Sequence, residues 1–162
     1  MPAELSGGSA AGLALVEVTG EGGEILAPEW LARAEPVHRQ LRERLPTDYA
    51  GRLAAVFADG ARMSLAVQGQ AVQGQAVRGV AVWRLVENTY EGRRLYVDDL
   101  VTDAAHRSQG VGKFLMAQLE ARARALGCDV LALDSGTQRS AAHRFYFREG
   151  FVIPSFCFRK SL

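Results

Sequence analysis

At 162 residues, 48% hydrophobic and with a formal net charge of +1, the chain can bury one sizeable core but is short for two ordinary domains. Its near-even charge supplies no basic field to attract nucleic acid, so none is expected as a partner. No apolar run approaches the roughly eighteen residues that span a bilayer, and Met1-Pro2-Ala3-Glu4-Leu5 carries no basic leader. A membrane partner is therefore not expected, and a cytoplasmic location is.

Residues 1–12, rich in Gly, Ser and Ala, are expected to be a flexible N-terminus ahead of a single domain over 13–162. Leu13-Ala14-Leu15-Val16-Glu17-Val18 predicts a first strand. Pro28-Glu29-Trp30-Leu31 opens a helix that Pro36 should interrupt or kink, with Val37, Leu41 and Leu45 at helical spacing beyond it. Pro46-Thr47-Asp48 predicts a break and a cap before a second helix near 48–58. A second strand starts at about 61. Residues 66–70 and 71–75 repeat Ala-Val-Gln-Gly-Gln, units far shorter than the roughly 20 to 50 residues of a solenoid repeat. A hairpin fits better: the second copy supplies the turn and Val77–Val86 returns, with a register that Gly and Gln mark weakly.

Arg93–Thr102 predicts a fourth strand carrying adjacent carboxylates, Asp98 and Asp99. Neighbouring strand residues point to opposite faces, so both can serve one site only if a bulge turns the chain. The strand feeds a loop, Arg107-Ser108-Gln109-Gly110-Val111-Gly112-Lys113, and then an amphipathic helix with Phe114, Leu115, Leu119 and Leu126 on its apolar side. Glycines let backbone approach phosphate oxygens, and the first helical turn leaves its N–H groups pointed at an anion. The loop is not a Walker P-loop, since Phe114 follows Gly112-Lys113 where Ser or Thr is required. Nor is it a dinucleotide fingerprint, whose third Gly is replaced by Leu115. Gly127 should end the helix, a fifth strand follows over Asp129–Asp134, and a strand–helix–strand unit of parallel neighbours is right-handed.

Beyond Ser135-Gly136-Thr137 a further helix carries His143, Arg144, Phe145, Tyr146, Phe147 and Arg148, then Gly150-Phe151. Phe145 and Phe147 read as core, His143 as a hydrogen-bonded structural side chain, and Arg144 and Arg148 as exposed charges. The closing stretch to Leu162 alternates large apolar residues around Pro154 and predicts the last strands. Cys128 and Cys157 read as buried packing residues, and three scattered histidines assemble no metal site.

Arg-x-x-Gly-x-Gly at 107–112, followed some thirty residues later by a helical Tyr146 and Gly150-Phe151, resembles the GNAT superfamily of N-acetyltransferases over roughly residues 50–162. The resemblance implies a mixed α/β fold: a mostly antiparallel sheet of six to seven strands, split in a V between strands 4 and 5, with about four helices. It implies acetyl-coenzyme A as donor, bound by Leu100, Val101, Thr102, Arg107, Ser108, Gln109, Gly110, Val111, Gly112 and Lys113. Ser135, Thr137 and Tyr146 would complete that set, since the Asn found in many relatives near the end of strand five is replaced here by Asp134-Ser135-Gly136-Thr137.

For catalysis the resemblance implies Tyr146 as the acid that protonates the leaving thiolate, with Asp98, or second Asp99, as water-mediated base or ammonium anchor. The expected activity is acetyl transfer to a primary amine of a small molecule by direct attack in a ternary complex. An acyl-coenzyme A sensor without turnover, or a protein lysine or N-terminal acetyltransferase, stays open beside it. The C-terminal stretch is similar to that of aminoalkylphosphonate N-acetyltransferases, in which case Arg93 or Arg94 would clamp a phosphonate. Relatives often pair as homodimers.

Overall fold

The computed structural model describes residues 12–69 and 74–162. The N-terminal expectation for 1–12 and the hairpin turn of the repeat fall almost wholly outside them. Ten elements follow in order: β1 (Leu13–Glu17), α1 (Pro28–Leu41), α2 (Tyr49–Ala58), β2 (Ala61–Gln68), β3 (Ala76–Asn88), β4 (Gly92–Thr102), a 3-10 turn at Ala104–His106, α3 (Val111–Ala125), β5 (Val130–Leu133) and α4 (Ser140–Arg148). The chain divides into two compact units, Met1–Ala132 and Leu133–Leu162.

In the first unit the strands form one mixed sheet in the order β1-β2-β3-β4-β5, antiparallel as far as β4 and parallel between β4 and β5. The mixed α/β class with four helices agrees with expectation; the sheet has five strands among the described residues rather than six to seven. Alternation along β2 and β3 sorts the two faces. Met63, Leu65 and Val67 pair with Val82, Val80 and Val77 and share a buried cluster with Trp30, Leu31 and Ala34 of α1 and Leu53 and Phe57 of α2. The opposite face takes α3, whose Val111 and Leu115 lie against Gly79 of β3.

Local chemistry explains the boundaries. Asp48 accepts the Gly51 N–H at 2.9 Å and starts α2 as expected of a cap. Pro36 does not interrupt α1, which runs through it to Leu41, while Leu45 lies beyond the helix. Gly127, at φ 66°, ends α3. In the repeat the β2–β3 register shifts by one residue between Ala66 and Val67, where Ala66 pairs with Gly79 and Val67 with Val77.

The second unit holds α4 and the closing segment. The expected last strands are absent: residues 151–162 form no strand, and Val152, Ile153, Phe156 and Phe158 are exposed. Alternation marks which side of a strand is apolar; it does not provide a neighbouring strand to bond the backbone. Phe147 is also exposed rather than core, and so is Cys157, while Cys128 is half-buried with burial pushing its thiol up. His143 donates from Nε2 to the Gly136 carbonyl oxygen at 2.9 Å, and Arg144 and Arg148 are exposed as expected.

Candidate active site

The two carboxylates owe their placement to a bulge in β4. Trp83 pairs with Val97 and Val82 with Asp99, so Asp98 is an extra residue with no partner in β3. Val82 belongs to the α1/α2 face, which assigns Asp99 to it; Arg84, two residues on and opposite Ala61 of the same cluster, lies there too and bonds Asp98. Regular alternation would have separated the acids. The bulge brings both to one side.

Asp99 is held from two directions. His38 of α1 meets its Oδ2 through Nε2 at 2.8 Å, and Arg42 donates from Nε to its Oδ1 at 2.6 Å. Burial by itself would raise the Asp99 carboxyl; the bonds and charges of His38 and Arg42 outweigh it and hold it below the ordinary carboxylate value. Asp98 has the opposite shift. Burial pushes it up, the Arg84 bond at 2.8 Å and its charge oppose without cancelling, and neighbouring Asp99 adds repulsion. Arg84 also reaches Asp59 at the end of α2, at 3.1 Å. A carboxylate with a raised value is the better proton acceptor of the two.

Past the bulge, β4 outlasts its parallel neighbour. The Asp129 N–H donates to the Arg93 carbonyl at 2.7 Å, so β5, four residues long, starts beside the beginning of the eleven-residue β4. The far end of β4, Leu100 to Thr102, continues beyond the reach of so short a strand. Strand N–H groups alternate between the two edges, so one of Leu100 and Val101 directs its N–H away from β3.

The chain then enters the loop. Asp103 accepts from the Ala105 N–H and from Gln40 of α1, whose own side-chain oxygen accepts the Ala104 N–H at 2.8 Å. Arg107, Ser108, Gln109 and Gly110 are exposed, and Ser108 and Gly110 both take positive φ, 61° and 83°. Gly110 is the N-cap of α3 and offers no side chain to the first turn, so the N–H groups of Val111, Gly112 and Lys113 face outward uncapped. In a fifteen-residue helix these donors also carry the positive end of the dipole. Arg107 and Lys113 flank them. The donor set fits a diphosphate.

The second unit carries Ser135, half-buried, and Thr137, exposed, in the loop before α4. Tyr146 is half-buried between Phe145 and Phe151, with ring centroids at 5.4 and 5.7 Å. Burial pushes its hydroxyl up, against a smaller opposing pull from Arg139, so it remains a proton donor at neutral pH.

Arg93 and Arg94 do not join the acids. Arg93 pairs with Glu87 at 3.3 Å and Arg94 with Glu91 at 3.2 Å. Arg93 also lies roughly 16 Å along β4 from Asp98 at about 3.3 Å per residue. The partners that do surround the acids, His38, Arg42 and Arg84, went unnoticed in the sequence. One signal was present for His38: it falls seven residues after Leu31 and four after Ala34, on the apolar side of α1.

Comparison with known proteins identifies the family. A profile of the acetyltransferase (GNAT) family matches residues 26–151. The N-acetyltransferase YhdJ of Bacillus subtilis, itself uncharacterized, is 36% identical over 134 residues, covering 82% of this chain and 91% of its own. The aminoalkylphosphonate N-acetyltransferase of Salmonella typhimurium is 38% identical over 66 residues, 41% of this chain and 43% of its own. Among solved structures, AAC(6')-Iy in complex with a coenzyme A bisubstrate analogue superposes with a TM-score of 0.72 at 17% identity, covering 94% of this chain and all of that one, a likeness of fold. With a family profile spanning most of its length and a relative aligned nearly end to end, the chain belongs to the GNAT acetyltransferase family and is an acyltransferase.

Proposed function

We propose that this protein transfers the acetyl group of acetyl-coenzyme A to a primary amine of a small molecule, by direct attack within a ternary complex. The observation that carries the reading is the uncapped N-terminus of α3 behind a left-handed Gly110, fed by a strand whose bulge turns two carboxylates to one face. In this reading the N–H groups of Val111, Gly112 and Lys113, with Arg107 and Lys113 at the edges, bind the pyrophosphate. Thr102, Ser108, Gln109, Ser135 and Thr137 supply polar contacts along the donor.

The outward N–H of Leu100 or Val101 polarises the thioester carbonyl and stabilises the oxyanion that forms as nitrogen attacks. Asp98 anchors the incoming ammonium group and accepts its proton through water. Because alkylammonium and carboxylate reference values differ by about six units, desolvation and the water relay share that work. Tyr146 gives its proton to the thiolate as the carbon–sulfur bond breaks.

Release of free coenzyme A over a panel of small amines tests the assignment. Wild type should release thiol with at least one primary amine, and Tyr146→Phe should bind the donor nearly as well while turning over about 10²-fold more slowly. Tight donor binding with no thiol released by any acceptor would instead identify an acyl-coenzyme A sensor.

A further inference from the structure

We propose that His38 is a positioning residue for the acyl transfer, gripping Asp99 so that the neighbouring Asp98 is the carboxylate left to meet the acceptor's ammonium group. The inference rests on the acceptor reading given above.

His38 is 2% exposed, on the core side of α1. A ring so deeply buried must satisfy both nitrogens. Nδ1 lies 2.9 Å from the Tyr49 hydroxyl and Nε2 lies 2.8 Å from Asp99 Oδ2. An ionised carboxylate only accepts, so Nε2 carries the hydrogen of the second bond. Tyr49 is itself buried, which pushes its hydroxyl up and keeps it protonated. With a single hydrogen on the ring, Nδ1 accepts that of Tyr49. Donors therefore run in one direction, from Tyr49 at the start of α2, through His38 on α1, to Asp99 on β4.

The other oxygen of Asp99 is taken by Arg42, whose Nη2 also donates to the Asp98 carbonyl oxygen at 3.1 Å. Both oxygens of Asp99 are thus committed to protein donors. Asp98 differs: Arg84 occupies Oδ2, and Oδ1 takes no hydrogen bond among the described residues. The pair is resolved into one fixed acid and one with a lone-pair oxygen to offer. For stability alone such a network has little to recommend it, because buried polar and charged groups exchange for apolar ones of similar volume at small net cost. Beside two adjacent carboxylates on a bulge it has a use, since it decides which of them turns to substrate.

The test compares His38→Leu with His38→Gln in the full chain, using butylamine as reference acceptor alongside the amine that releases most thiol in the panel. Gln keeps an N–H near the position of Nε2; Leu removes it. His38→Leu should raise the acceptor KM about tenfold or more and leave the acetyl-coenzyme A KM within about twofold, whereas His38→Gln should recover most of the acceptor KM. Equal behaviour of the two variants, or a matching rise in the KM for the donor, would reduce His38 to a packing residue and overturn the inference. Should His38→Leu fail to fold, nitrogen-15 spectra of the wild-type histidines decide: a hydrogen on Nε2 of His38 is expected, and its absence overturns the proposal. If wild type turns over no amine at all, the acceptor reading itself has failed, an outcome distinct from a failure of His38 in an active enzyme.

Discussion

Asp98 and Asp99 are chemically identical side chains one residue apart, and their surroundings push them in opposite directions. The sign of each shift sets a pH range. Asp99, lowered, stabilises the fold above the ordinary carboxylate value near 4 and loses that contribution as pH falls through its lower folded value. Asp98, raised, favours the fold in acid and loses its contribution as pH rises through its higher folded value. In the proposed mechanism Asp98 must be ionised, so activity should appear as pH climbs through its raised value. Asp98→Asn should erase this acid limb and lower kcat/KM for the amine by about 10²-fold, measured over pH 4 to about 8. An unchanged profile would remove Asp98 from the proton path.

The start of α3 makes two demands on its element, and separate glycines serve them. Gly112 lies in the first turn, where a carboxylate interacts well with the dipole and a non-Gly residue is a better helix former by about 0.5–1 kcal/mol. Gly112→Glu should therefore leave thermal stability equal or higher while abolishing coenzyme binding in calorimetry, through bulk and like charge. Gly79 shows the converse. A Cβ there would sit 2.7 Å from Val111 Cγ1 and 2.8 Å from Leu115 Cδ1, so Gly79→Val should push the helix off the sheet. Overpacking of this kind costs about 1–3 kcal/mol, and coenzyme affinity should fall with it because the displaced turn holds the donors.

The first unit rests on a cluster that β2 and β3 share with α1 and α2. Leu65 is wholly buried within it, so Leu65→Ala should lower the unfolding free energy by about 2–5 kcal/mol in denaturant titration. Element order was legible in the sequence because it is written locally: the periodicity of α3, the Asp48 cap, the Gly127 stop and the glycines around residue 110 each act within a few residues. The bulge was legible only as a condition, because its evidence is a pairing with β3 that no stretch of β4 contains. The partners of the acids were invisible for the same reason: His38 and Arg42 lie 61 and 57 residues from Asp99 in sequence. The closing segment misled in the other direction, since alternating Phe156 and Phe158 look like a strand whether or not a neighbour stands ready.

Because Val97 and Asp99 face consecutive residues of β3, the ladder closes without Asp98. The backbone ladder asks nothing of that side chain, whose structural partner is Arg84, so in the proposed mechanism an exchange there should alter acceptor preference while every other pairing in the sheet stays in place.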